Sequence, residues 1–188
     1  AFVSTALTAQ EPIYTSPEVK VQAEPAADET VIEIEVERLP VLDQGRTGTC
    51  WSFATSSFLE AELIRIGGEP VDLSEMHTVY WTYIEKARRY VRLHGKAQFS
   101  EGGLSHDPVF IAGLYGLVPA ADYPGLPDGQ EAYDHQELAR VLTAMLGEIA
   151  SSKQPSPNWE QAVRGVLDAY LGAPPEMVTV GDDQMTPQ

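Results

Sequence analysis

Residues 42–55 read LDQGRTGTCWSFAT and hold the only cysteine of the chain, Cys50, with Trp51 directly after it. Gly45 and Gly48 allow the segment to turn tightly. From Cys50 onward the sequence becomes apolar and helical, through Trp51, Phe53, Ala54, Phe58, Leu59, Ala61, Leu63 and Ile64. Gly67, Gly68 and Pro70 stop this helix. Apolar groups on several of its faces predict a helix buried at the domain centre. A cysteine in the first turn of a helix meets unpaired N–H groups and the positive end of the dipole, which favour negative charge on sulfur. Gln44, turned back by the glycines, brings a side-chain amide toward the Cys50 N–H, and two such donors can stabilise an oxyanion. Alone, a single cysteine reads as a small core residue. Joined to Gln-Gly, Gly-x-Cys-Trp and an immediate helix, it reads as a nucleophile.

Downstream, Asp72 or Ser74 caps a second helix whose stripe runs Met76, Val79, Tyr80, Tyr83, Ile84, Ala87, Tyr90, Val91. Lys86, Arg88, Arg89 and Arg92 read as its solvated face. Gly102 and Gly103 form a turn before a short helix, with Asp107 as cap, Pro108 in first position and Gly116 closing it. Another helix covers about 134–151, with Leu138, Val141, Leu142, Met145, Leu146 and Ile149 on one side. Asn158 and Gln161 resemble a capping box for the next helix, which Gly172, Pro174 and Pro175 end. The final VTVGDDQMTPQ, residues 178–188, reads as chain that has left its core.

Upstream, Ile32, Ile34 and Val36 alternate with Glu33, Glu35 and Glu37, a short strand with one acidic face. Residues 10–30 read as an extended lead-in. Residues 1–9 resemble the end of a secretory signal, cleaved after Ala9. The expectation is export to the periplasm or medium. A cytoplasmic chain is the alternative, since one cysteine permits no internal disulfide.

Twelve Lys and Arg against 28 Asp and Glu give a formal charge of −16. Such a field repels phosphate backbones, and no basic stripe carries interleaved aromatics, so nucleic acid is not an expected partner. His77, His94, His106 and His135 are dispersed without ligand spacing, so no metal or other cofactor is expected. No apolar stretch approaches the ~18 residues of a membrane span.

Residues 43–62, DQGRTGTCWSFATSSFLEAE, resemble the active-site segment of papain-like cysteine peptidases. Thr47 stands where secreted papains carry a disulfide cysteine, and Thr49 replaces the usual Ser or Ala. The missing disulfide is similar to the bleomycin hydrolase/aminopeptidase C branch. So are LSEMHTVYWTYIEKARRY (73–90), EGG (101–103), YGLVPAADYPG (115–125) and YLGAPPEMV (170–178). The resemblance runs from about Leu39 to Val180. It implies an α+β papain-like fold in which residues 31–180 form mainly the helical half. It makes Cys50 the nucleophile and Gln44 an oxyanion donor, and it puts Gly102 and Gly103 on the cleft wall that pairs a substrate backbone. Peptides or proteins are the implied substrates, with aminopeptidase action one option and homo-oligomers left open.

In that family the general-base His and its orienting Asn follow the cysteine by about 130–150 residues, a window that opens near Val180. Residues 181–188 then read as the tail of a truncated two-domain enzyme. None of the four histidines precedes the small-residue strand that the family's His carries. His106 is the one expected near the cleft, and the others are expected to be surface or partly buried. The competing reading is a catalytically inactive, peptide-binding relative. A helical domain with a chance Cys-Trp is disfavoured by several matching segments in family order.

Overall fold

The apolar stripe of residues 76–91 finds a neighbour on nearly every side. In the computed structural model, which describes residues 36–188 except 128 and 182, that stripe belongs to α2 (Glu75–Arg92). Around it lie α1 (Cys50–Arg65), α3 (His106–Tyr115), α4 (Gln136–Ser151) and α5 (Trp159–Leu171), all four in contact with α2. Met76, Val79, Tyr80, Tyr83, Ile84 and Ala87 are buried. They meet Leu138, Leu142 and Leu146 of α4 and Val163, Leu167 and Leu171 of α5 in one core. These spacings of three and four residues keep each helix's apolar groups on a single face, which is why the bundle closes. Ser74 caps α2, its hydroxyl accepting from His77 N–H at 3.0 Å.

The centre is therefore α2, and the expectation that α1 lies buried there is corrected. The buried face of α1 beyond Trp51 is small and polar: Ser52, Thr55, Ser56 and Glu60. Of its large apolar groups, Phe58 is 62% exposed, Phe53, Leu59, Leu63 and Ile64 are half-buried, and Ile66 just after the helix is 70% exposed. Apolar density without a single stripe does not choose a face. Val109, Phe110, Leu114 and Leu117, in and after α3, are also exposed.

Three further expectations change. Asp107 does not cap α3: the helix begins at His106, and the Asp107 carboxylate accepts from Leu104 N–H at 2.8 Å instead. Asn158 makes no side-chain capping bond to α5. Residues 178–188 return to the core as an antiparallel pair, β1 (Val178–Val180) and β2 (Asp183–Met185), with Val178 opposite Met185. Val178 is buried, Thr179 N–H donates to the Asp122 carboxylate at 2.7 Å, and Leu117 N–H donates to the Pro187 carbonyl at 3.1 Å. A two-stranded pair is marginal alone, and these anchors to the segment after α3 hold it. The expected signal remnant, the lead-in and most of the strand at 32–37 lie outside the described residues. Val36 and Glu37, which are described, are not in a strand. No helix among the described residues is long and apolar enough to cross a membrane.

The basic residues of α2 are not one solvated face. The Arg88 guanidinium binds both Glu160 oxygens at 2.8 and 2.7 Å, Glu85 at 2.6 Å and the Tyr115 hydroxyl at 2.7 Å. It thus ties α2 to α5 and α3, and it lowers the Glu160 carboxyl to about 2. Behind α1, burial pushes the Glu75 carboxyl up to about 7, with the charges of Glu60 and Asp72 adding to the rise. Between about pH 4.5 and 7, then, the folded chain keeps a proton that the unfolded chain has lost. The associated stability is full below the unfolded pKa and is lost as pH rises through 7. Glu75→Gln should match wild type at pH 4.5 and melt several degrees higher at pH 8, at about 2–4 °C for each kcal/mol of stability. Calorimetry at both pH values checks this, and equal melting temperatures at pH 8 would contradict it.

Candidate active site

The turn before α1 is closed by its own polar groups. Gln44 Nε2 donates to the Thr47 carbonyl at 2.7 Å, and Thr47 Oγ1 donates to the Gln44 carbonyl at 2.9 Å. The Thr47 and Thr49 hydroxyls lie 2.5 Å apart. Thr47 has already spent its proton, so Thr49 is the donor of that pair. Threonine hydroxyls thus close the loop, with Thr47 at the position that the resemblance aligns with the disulfide cysteine of secreted papains. Gly45 is fixed sterically: its φ is +62°, and a Cβ would lie 2.4 Å from the Tyr133 carbonyl oxygen. Arg46 N–H donates to that carbonyl at 2.8 Å, and His135 N–H donates back to the Arg46 carbonyl at 3.3 Å, strapping the turn to the start of α4.

Cys50 is the first residue of α1 and its side chain is exposed. Among the described residues its backbone N–H donates to no group, whereas Ser52 N–H already bonds the Thr49 carbonyl at 2.8 Å. One hydrogen of Gln44 Nε2 is used by Thr47, and the amide carries a second. The turn therefore holds two free donors close in sequence to the thiol. Trp51 points the other way, into the core, at 7% exposure.

Trp51 is also the junction to the second half of the site. Its indole N–H donates to the Glu101 carbonyl at 3.0 Å, and the Glu101 carboxylate accepts from Gly48 N–H. Lys86 Nζ reaches from α2 to the Ser100 carbonyl at 3.0 Å and to the Gly102 carbonyl, and it lies 5.8 Å from the Trp51 ring centroid. Burial pushes its ammonium below the usual lysine range. So the structure brings Cys50, Gln44 and Gly103 into one connected unit, with Gly102 adjoining. Gly103 must be glycine, because a Cβ would lie 2.6 Å from the Trp51 ring, whereas at Gly102 a Cβ meets nothing within 4 Å. No hydrogen bond among the described residues uses the Gly103 N–H or carbonyl.

Lys86 was expected on a solvated face and Glu101 entered only as part of EGG, so neither was expected in the site. Glu101 carried one signal, its place directly before Gly-Gly. Lys86 carried none, since its partners lie 14 and 16 residues away.

Two of the four histidines depart from expectation. His77 and His135 are buried, at 2% and 3% exposure. Burial lowers the His77 imidazole to about 4, and its Nε2 accepts from the Trp81 indole at 3.0 Å. Both His135 ring nitrogens lack a hydrogen-bond partner among the described residues, and burial lowers that imidazole too, against the charges of Glu101 and Asp134. The reason is packing: His77 falls on the buried side of α2, and His135 begins α4 under the turn. His106 is exposed, 3.4 Å from the Asp107 carboxylate. None of the four is bonded to Cys50.

The sequence profile of the Peptidase C1-like family matches residues 2–156. The chain belongs to the peptidase C1-like family. Aminopeptidase C of Lactococcus lactis is 25% identical over 187 residues, covering 84% of this chain and 42% of that protein. The oryzain gamma chain of Oryza sativa is 50% identical over 40 residues, 21% of this chain and 11% of its own length. A crystal structure of PepW from Lactobacillus rhamnosis superposes with a TM-score of 0.59 at 20% identity, over 78% of this chain and 39% of PepW. The α+β papain-like fold and the aminopeptidase C-like branch are thereby established. The chain spans less than half the length of the first of these relatives.

Within this peptidase C1-like chain the two glycines should separate cleanly. Gly103→Ala should cost about 1–3 kcal/mol, the usual range for forcing a methyl into a packed site. Gly102→Ala should stay within about 0.5 kcal/mol. Urea unfolding of both variants checks the difference, and equal midpoints would contradict the Trp51 contact.

Proposed function

We propose that this chain carries the nucleophilic half of a cysteine peptidase, with Cys50 as nucleophile and Gln44 as oxyanion donor. The observation that carries it is the exposed Cys50 at the first position of α1, following a turn that leaves the Cys50 N–H unused and the Gln44 amide half-used. In this reading a general base takes the Cys50 thiol proton, the sulfur attacks the scissile carbonyl carbon, a C–S bond forms, and the carbonyl π electrons move onto oxygen. Gln44 Nε2–H and Cys50 N–H donate to that oxyanion. Collapse breaks the C–N bond, and the departing amine takes a proton from a general acid. Water then hydrolyses the thioester, returning the thiol.

In this reading no described histidine is the acid or the base. His77 and His135 are buried, and His106 faces Asp107. The free N–H and carbonyl of Gly103 suit one edge of an extended substrate backbone. The aminopeptidase C relatives make peptides with free amino termini the first to assay. Export of the protein, read from residues 1–9, belongs to the same proposal.

In the full-length enzyme, Cys50→Ala should abolish peptide hydrolysis. Gln44→Ala should lower kcat by about 10²–10³ with little change in KM, the usual cost of one oxyanion donor. Steady-state kinetics read both. Hydrolysis that survives Cys50→Ala would remove this function. If wild type hydrolyses nothing while Cys50→Ala binds peptides, the chain is instead a peptide-binding relative.

A further inference from the structure

Beside the Gly102–Gly103 segment lies a cavity of about 680 Å³, between the C-terminal half of α2, residues 98–104 and α3. The chain has 12 basic side chains against 28 acidic ones, yet Lys86, Arg89 and Arg92 all line this one space. Their states differ. Lys86 is held by the Ser100 and Gly102 carbonyls. Among the described residues the Arg89 and Arg92 guanidiniums have neither a hydrogen bond nor an ion pair. The neighbouring Arg88, by contrast, is saturated by Glu85, Glu160 and Tyr115.

The carboxylates that share the cavity are already engaged. Glu85 accepts from Arg88 and Tyr115, and Asp107 accepts from Leu104 N–H and faces His106. The cavity thus combines two unpaired guanidiniums with the apolar Phe110 and Ile111 of α3. Arg89 and Arg92 are exposed, and a guanidinium's planar fork matches a carboxylate.

We infer that this cavity selects an acidic side chain of a bound peptide, with Arg89 and Arg92 as its specificity-determining residues. The inference rests on the peptide-binding role proposed for Gly103. A backbone laid along Gly103 would project a side chain toward the cavity that Gly102 and Gly103 help to line. In a chain of charge −16, an acidic substrate is otherwise repelled, so local cations are what would admit it.

The test uses the full-length protein with Cys50→Ala, so that binding is read without cleavage. The probes are N-acetylated, C-terminally amidated hexa-alanine peptides carrying Glu or Gln at each position in turn, leaving the varied side chain as the only carboxylate. Fluorescence competition should show Glu binding about tenfold tighter than Gln at one position. The preference should shrink as salt rises and vanish in Arg89→Gln/Arg92→Gln. Equal affinities at every position, or a preference that survives the double substitution, would overturn the inference. A preserved Glu preference in a protein that hydrolyses nothing would uphold this inference while removing the peptidase reading.

Discussion

The indole of Trp51 fixes how far the cysteine turn stands from the glycine segment. Its ring face leaves room only for a glycine at 103, and its N–H holds the Glu101 carbonyl. Glu101 in turn reaches back to Gly48 in the turn itself. Two donors and one steric contact thus close a loop between elements about fifty residues apart in sequence. A buried aromatic is suited to this, because it loses few rotamers and offers an apolar body with one polar handle. Since Trp51 follows Cys50 on the same helix, placing the indole also places the thiol.

The rest of the fold supports that junction. The stripe of α2 supplies a core on which α1 can rest with a polar inner face: Ser52 Oγ donates to the Glu75 carbonyl, and Glu60 accepts from Leu73 N–H. Such contacts orient more than they stabilise, for a neutral hydrogen bond is worth about 1 kcal/mol net. The cost is visible in Glu60 and Glu75, both raised above the ordinary carboxyl range by burial. Few basic residues are spent, and they are spent at joints. Arg88 joins three helices, and Lys86 holds the backbone that leads into the glycines.

What the sequence made legible follows the range of the interactions involved. The α2 stripe, the Ser74 cap and the leucine face of α4 are local and periodic, and they appear where the spacing puts them. The turn, Cys50 and Gly103 were legible through a motif whose members lie close together or beside a Gly-Gly pair. The depth of α1 was misread because apolar residues were counted without knowing which neighbour each would meet. Lys86 and the burial of His77 and His135 depend on partners from other elements, so no local pattern announces them. The return of residues 178–188 was hidden for the same reason, since Asp122 and Leu117 are its anchors.

The claim that Trp51 holds nucleophile and glycine wall in register can be tested on Cys50 itself. The measurement is the ratio of Cys50 labelling rates by a peptidyl chloromethyl ketone and by iodoacetamide, in full-length wild type and in Trp51→Phe. Iodoacetamide needs only the exposed thiol, whereas the peptidyl reagent also needs the wall. Loss of one hydrogen bond, at about 0.5–1.5 kcal/mol, should lower the ratio by roughly two- to tenfold, with the iodoacetamide rate nearly unchanged. An unchanged ratio would contradict the account, as would an equal fall in both rates.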